Sequence, residues 1–181
     1  RRWDAFLADF CAHWPTDHAG VWVRDVRDGR MGAGTKRTGE PSWLRRTEAM
    51  TRSDSSPRAT GAGAKSVFRF GVHGEVASST HAGLPWLRHI REQCPHAHVW
   101  PFDGWDIAPG RSVLLEVYPR LWKDAFPAKD LTDDQRDARA VACWLQRADR
   151  HGELRSALSP PLTRADRVRA AFEGWILASE R

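Results

Sequence analysis

One six-residue run, SVLLEV at 112 to 117, constrains this chain more than any other stretch. It is β-favourable and apolar enough to lie at the centre of a sheet, where both faces of a strand are covered. Two shorter stretches also read as strands, the alternating Ser66 to Phe70 and His98-Val99-Trp100. Elsewhere the apolar residues recur at helical spacing. Residues 2 to 13 set Trp3, Phe6, Leu7 and Phe10 on one face. A short helix is expected from Pro41 to Met50 with Ser42 as its cap. Ser79 or Thr80 opens another that runs to Gln93, with Leu84, Leu87 and Ile90 inward and Pro95 beyond its end. Pro119 begins a short helix through Phe126. Thr132 caps a long one to Arg150, with Val141, Trp144, Leu145 and Ala148 on one side. Thr163 caps a last one to Ser179 that buries Val168, Phe172 and Ile176. Residues 15 to 40 read as loop around a short ordered piece at VWVRDV, and 52 to 64 as a mobile loop. Strands alternating with helices predict a single α/β domain over 1 to 181 with a loop-rich insertion at 15 to 64. Two or three strands beneath these helices make a sheet that looks incomplete.

The 181 residues suit one domain with a substantial core, and 41% hydrophobic with 28% charged residues is a globular mixture rather than a disordered one. Every apolar run is far shorter than the roughly 20 positions that span a bilayer, and no secretory signal opens the chain. Cys11, Cys94 and Cys143 lie far apart and form no disulfide framework. These features predict a cytoplasmic protein with reduced thiols and no membrane partner. A formal charge of +5 admits nucleic acid as a partner, and an exposed sheet edge admits a homo-oligomer. The ten tryptophans are spread from Trp3 to Trp175, which assigns them to the core rather than to a base-stacking platform.

Several local patterns carry no chemistry. GAGAKS at 61 to 66 has Ala64 and Ala59 where a phosphate loop requires glycine. His96 and His98 share one face of a strand, but no further cysteine or histidine pair completes a metal site. Ser78, Ser79 and Thr80 beside His81 do not form a nucleophile elbow. Glu116 is different. A carboxylate near the end of an apolar strand is costly unless it is paired, hydrogen-bonded or bound to metal, and sites gather at the C-terminal ends of α/β strands. Downstream, Asp133 and Asp137 are spaced i,i+4, and Asp134 and Asp137 i,i+3, so pairs share a helix face near its first turn. Two readings stay open for them: acids that complement the helix dipole, or partners of Glu116 in a metal site. Asp137 lies deeper than the others, beside Ala138 and Ala140, where a helix can approach a sheet closely.

The segments KSVFRF, THAGLPWLRHI, VWPFDGWDI, SVLLEVYPRLW, DQRDARAVACWL and EGWILA, in that order, span about 65 to 178. Together they resemble the domain-of-unknown-function family numbered 429, regarded as predicted nucleases with an RNase H-like fold. The pieces that carry the resemblance best are Glu-Val-Tyr-Pro at 116 to 119, the Asp-Ala helix start at 137 to 138, and Glu-Gly-Trp-Ile at 173 to 176. The resemblance implies a few-stranded central sheet covered by helices, and a carboxylate cluster holding Mg²⁺ or Mn²⁺ at a phosphodiester. Glu116 and Asp137 become catalytic metal ligands, with Asp134 or Asp133 as auxiliary. Arg45, Arg46, Lys65, Arg69 and Arg120 become the nucleic-acid-binding cations. Glu173 either joins the metal ligands or, the favoured expectation, caps or pairs with Arg169 or a backbone amide. The fold's leading aspartate belongs on a first strand that no part of this chain supplies, so the chain is read as the C-terminal portion of a longer protein, inactive on its own in one version of that reading. A non-catalytic nucleic-acid-binding module and a protein-interaction module that keep the fold are the alternatives.

Overall fold

Thr132 turns the chain into a long helix by local chemistry alone. Its backbone is extended, its hydroxyl accepts from Gln135 N at 3.3 Å, and the Gln135 side chain accepts from Thr132 N at 2.9 Å, so two otherwise orphaned amides are satisfied reciprocally. The computed structural model describes residues 2–18, 20–30, 44–50, 65–70 and 76–179. In chain order they form α1 (Arg2–His13), α2 (Val23–Arg27), α3 (Arg46–Met50), α4 (Ala77–Gln93), β1 (Ala97–Val99), β2 (Ser112–Leu114), two 3₁₀ turns (Pro119–Leu121 and Lys123–Ala125), α5 (Asp133–Arg150), α6 (Glu153–Ala157) and α7 (Arg164–Glu173). The class is mixed α/β, mostly helical, around a small parallel pair of strands. None of these helices is long and apolar enough to cross a membrane, and all three cysteines are free.

The core is built on the inward face of α5. Ala140, Trp144 and Ala148 recur every four residues and are buried. Trp144 stacks on Trp122 with ring centroids 4.4 Å apart. The two small residues beside it let α6 and the 3₁₀ turns close in on α5. The helix expected over 119 to 126 is thus realised as those two turns. Trp3, Trp14, Trp100, Trp122, Trp144 and Trp175 are all buried, which puts most of the tryptophan in the core. Trp22 and Trp86 are exposed, and Trp43 lies outside the described residues.

β1 and β2 pair in parallel, Ala97 with Ser112 through Val99 with Leu114, across a connection of about a dozen residues. The strand expected over 112 to 117 is divided between two partners. Residues 112 to 114 pair with β1, while Glu116 forms a separate parallel bridge with Ile176, and Leu177 N donates to Glu116 O at 3.0 Å. His98 is buried on β1 with Nε2 2.9 Å from Gly104 O, a satisfied core histidine, and His96 is exposed.

Three expectations fail for identifiable reasons. Residues 66 to 70 are not a strand. The Ser66 hydroxyl accepts from Phe68 N, the Val67 amide is given to Glu48 Oε1, and Ser66 and Val67 are both buried, which alternation forbids. The last helix ends at Glu173 rather than Ser179, because Gly174 leaves helical geometry at φ +92°. Val168 and Phe172 lie within the helix but on its exposed side, Ile176 beyond its end is half-buried, and Trp175 and Leu177 are the buried residues. Helix α4 starts at Ala77, with the Ser79 hydroxyl donating back to Val76 O, and Ile90 faces out. Helix α3 forms only from Arg46. Its expected start at Pro41 and Ser42, most of the GAGAKS stretch and the 52 to 64 loop lie outside the described residues. The VWVRDV piece carries α2.

Candidate functional site: a carboxylate cluster at the strand end

Glu48 is the most deeply buried charged group in the described structure, with a side chain 1% exposed. An isolated carboxylate there would be prohibitively costly. Among the donors that answer it are Arg45 N at 2.8 Å, Arg45 Nε at 2.9 Å and Val67 N at 3.2 Å. The Arg45 guanidinium reaches further, donating through Nη1 to the carbonyl of Glu173 and lying 4.0 Å from Glu116 Oε1 through Nη2. Glu173 Oε2 in turn accepts from Thr47 N at 3.0 Å, so the end of α7 satisfies a free amide at the start of α3. Segments 45–48, 67, 116 and 173–176 thus meet at one point. Glu173 has the backbone-amide partner expected of it.

Glu116 stands at the mouth of this cluster. Its side chain keeps 49% of its surface, so it belongs to an open crevice rather than the core. Burial among the surrounding segments still pushes its pKa above the usual carboxylate range; Arg45 opposes the rise and Glu48 adds to it. A cavity of about 10 Å³, room for about one water, is lined by Arg45, Thr47, Glu48, Glu116, Gly174 and Trp175 among others. Gly174 forms its back wall. A Cβ there would come within 3.1 Å of Phe102 Cζ and 3.4 Å of Arg45 Nη1, with φ already at +92°. Gly174→Ala is therefore expected to cost about 1–3 kcal/mol through backbone strain, read as a lower urea midpoint. A loss below 0.5 kcal/mol would mean that the backbone here relaxes freely.

The other expected residues divide among three places. Asp137, half-buried on α5, has Lys123 Nζ 2.9 Å from Oδ1. Asp133 is exposed and pairs with Arg136, with Lys123 at 3.8 Å. Asp134 is exposed in the first turn. Arg46, Lys65, Arg69 and Arg120 are exposed, whereas Arg45 is drawn inward as the counter-charge of the cluster. Among the described residues no group of three or more His, Cys, Asp or Glu side chains is arranged to hold a metal ion. Arg45 and Glu48 as a buried pair escaped the sequence reading, because an i,i+3 Arg/Glu pair on a short helix looks like solvated surface. No family model, curated protein or solved structure matches the chain.

Proposed function

We infer that the chain carries a carboxylate site for phosphodiester chemistry, the metal-dependent nuclease reading, on a few-stranded RNase H-like scaffold. One observation carries the inference. Glu116 lies two residues beyond the end of β2 in a parallel bridge to Ile176, is pushed toward its protonated form by burial, and shares a small cavity with a second carboxylate. Perturbed carboxylates cluster at functional sites, and α/β strands collect ligands at this end. Among the described residues the carboxylates of Glu48 and Glu116 both face the Arg45 guanidinium, and the Glu173 carboxylate lies beside them on the Thr47 amide. A carboxylate with a raised pKa is suited to take the proton of an attacking water, and Arg45 beside it supplies positive charge.

Mg²⁺ and Mn²⁺ are the cofactors of this reading, as hard cations that prefer oxygen. The donor set meets them only in part. Glu116 offers an open carboxylate, but Glu48 already accepts three N–H bonds and Lys123 sits on Asp137. As built, the described side chains do not make a chelating set, and no hydrolytic step is drawn through a cation. The test is a Mn²⁺ titration by calorimetry and thermal melting, with hydrolysis of DNA and RNA followed alongside. The metal version of the reading requires wild type to bind Mn²⁺ and to melt higher with it, and Glu116→Gln and Asp137→Asn each to abolish the shift. Without metal, Glu116→Gln should melt slightly above wild type at neutral pH. A raised folded-state pKa means that the folded form binds more protons, so stability falls as pH rises through that window and the charged form carries a cost that Gln removes. No heat and no shift in wild type would remove metal from the reading.

A second reading, a non-catalytic nucleic-acid-binding module, is favoured by the basic neighbours at both expected ligands, Arg45 at Glu116 and Lys123 at Asp137. It predicts binding that weakens steeply with salt and is indifferent to chelator.

A further inference from the structure

Four arginines of α5 fall in one line. At 3.6 residues per turn, Arg136, Arg139, Arg147 and Arg150 lie within an arc of about 80°, and at 1.5 Å per residue the line is about 21 Å long. Half-buried Cys143 stands in the middle of the same line. No carboxylate of the helix falls inside the arc. The buried stripe of Ala140, Trp144 and Ala148 is roughly 100° away round the helix, so the arginines occupy a solvent-facing flank.

Many other arginines are paired. Arg27, Arg30, Arg45, Arg88, Arg91 and Arg169 each meet a carboxylate within 3.4 Å. On α5 only Arg136 does so, with Asp133. Arg139, Arg147 and Arg150 are exposed, and none has a carboxylate at ion-pair distance among the described residues. Arg111, Arg120, Arg155, Arg164 and Arg167 likewise have no carboxylate at ion-pair distance among the described residues, so what sets the α5 arginines apart is their alignment. Two of the α5 arginines are nevertheless held in place by Phe126. The Arg147 guanidinium lies over its ring, 5.3 Å from the centroid, and Arg139 Nη1 is 3.5 Å from its carbonyl oxygen. Such contacts order a cation at the surface without neutralising its charge.

We propose that this flank of α5 is a docking surface for the sugar-phosphate backbone of nucleic acid, with Arg139, Arg147 and Arg150 as the phosphate contacts. The choice of polyanion rests on the phosphodiester reading above. From Arg139 to Arg150 the line runs about 16 Å, roughly five axial steps of one B-form strand at about 3.4 Å each, with Arg147 about 4.5 Å along the axis from Arg150, so the three guanidinium groups reach separate phosphates. Guanidinium suits this work because its planar fork donates two bonds to one phosphate. A membrane surface fits less well: the exposed large apolar side chains of the described structure are Trp22, Trp86, Ile90, Val168 and Phe172, none of them on α5.

The test is fluorescence anisotropy with labelled single-stranded and duplex oligonucleotides of about 20 nucleotides, in EDTA so that binding is read apart from cleavage. Wild type should bind with an affinity that falls linearly in log–log form with salt. The triple exchange Arg139→Gln, Arg147→Gln, Arg150→Gln should lose at least about tenfold in affinity and flatten the salt slope by about 2–3. The same three positions changed to Lys should keep the slope. All three side chains are exposed, so both triple variants should melt close to wild type. Absence of binding by wild type, a Gln triple with unchanged affinity and slope, or capture by anionic vesicles but not by oligonucleotides each overturns the proposal. The nuclease reading stands or falls separately, on hydrolysis lost in Glu116→Gln. If that loss occurs while the Gln triple binds normally, the surface is wrong and the site survives. If wild type never hydrolyses but the Gln triple loses binding, the surface survives on a non-catalytic module.

Discussion

Exchange of Arg45 for methionine is expected to cost about 3–5 kcal/mol of folding stability, seen as a fall in Tm of roughly 6–20 °C for a domain of this size. The cause is what the exchange leaves behind. Glu48, 1% exposed, keeps the amides of Arg45 and Val67 but loses the charged donor at 2.9 Å that the Arg45 guanidinium supplies. The carbonyl of Glu173 loses its donor as well. A surface pair such as Arg88–Glu92 makes the contrast, since its rupture costs only a few tenths of a kcal/mol. Removal of both charges together should cost less than the two single losses added. Arg45→Met with Glu48→Leu leaves no unbalanced charge, but the amides of Arg45 and Val67 and the carbonyl of Glu173 lose their partners, so a cost of about 1–3 kcal/mol remains. Urea unfolding of the wild type, the two single variants and the double variant gives the coupling directly. A single-variant cost below 1 kcal/mol would show that the pair does not fasten 45–48 to 173–176, and the cluster around Glu116 would then lack a rigid frame.

That frame also explains which parts of the structure were legible in the sequence. Helix α5 was, because its cap, its period and its buried stripe are all written within about twenty residues. Glu116 was legible as an anomaly, since an acid in an apolar strand demands an explanation from chemistry alone. Arg45 and Glu48 were not. Their burial is created by Glu173 and Glu116, which lie far away in the chain, and nothing near residue 45 announces it. The misread strand at 66 to 70 fails for the same kind of reason: the alternation is real, but a remote carboxylate and a local hydroxyl claim the amides that a strand would use. At α7 the i,i+4 spacing of Val168 and Phe172 suggested a buried face, yet both lie on the exposed side of the helix, and the buried residues are Trp175 and Leu177 beyond its end. Local signals therefore placed the scaffold. The charged centre, which depends on distant partners, had to be seen folded.

Loss of the Trp144 side chain is the second large effect, at about 3–5 kcal/mol for Trp144→Ala. Trp144 is 3% exposed and lies face to face with Trp122, itself 3% exposed, so truncation opens a void that the flanking alanines, Ala140 and Ala148, are too small to fill. Trp144→Phe retains an aromatic face and should cost about 1–3 kcal/mol, while Trp86→Ala, at a position 51% exposed, should stay within about 0.5 kcal/mol. The damage should also be local in a particular way. The 3₁₀ turns at Pro119–Leu121 and Lys123–Ala125 have few backbone bonds of their own and are held mainly by packing on α5. With Trp144 gone, amide exchange over 119 to 125 should accelerate well ahead of that in the middle of α5. Because that segment joins Glu116 to Lys123, the Lys123–Asp137 pair should loosen with it. In a double-mutant cycle with Trp122→Ala, the two losses should fall short of additive by about 0.5–1.5 kcal/mol, the contribution of the stacked pair beyond its burial. Strict additivity, with exchange over 119 to 125 unchanged in Trp144→Ala, would mean that the two rings are independent and that another contact holds the chain leaving Glu116 against the helix.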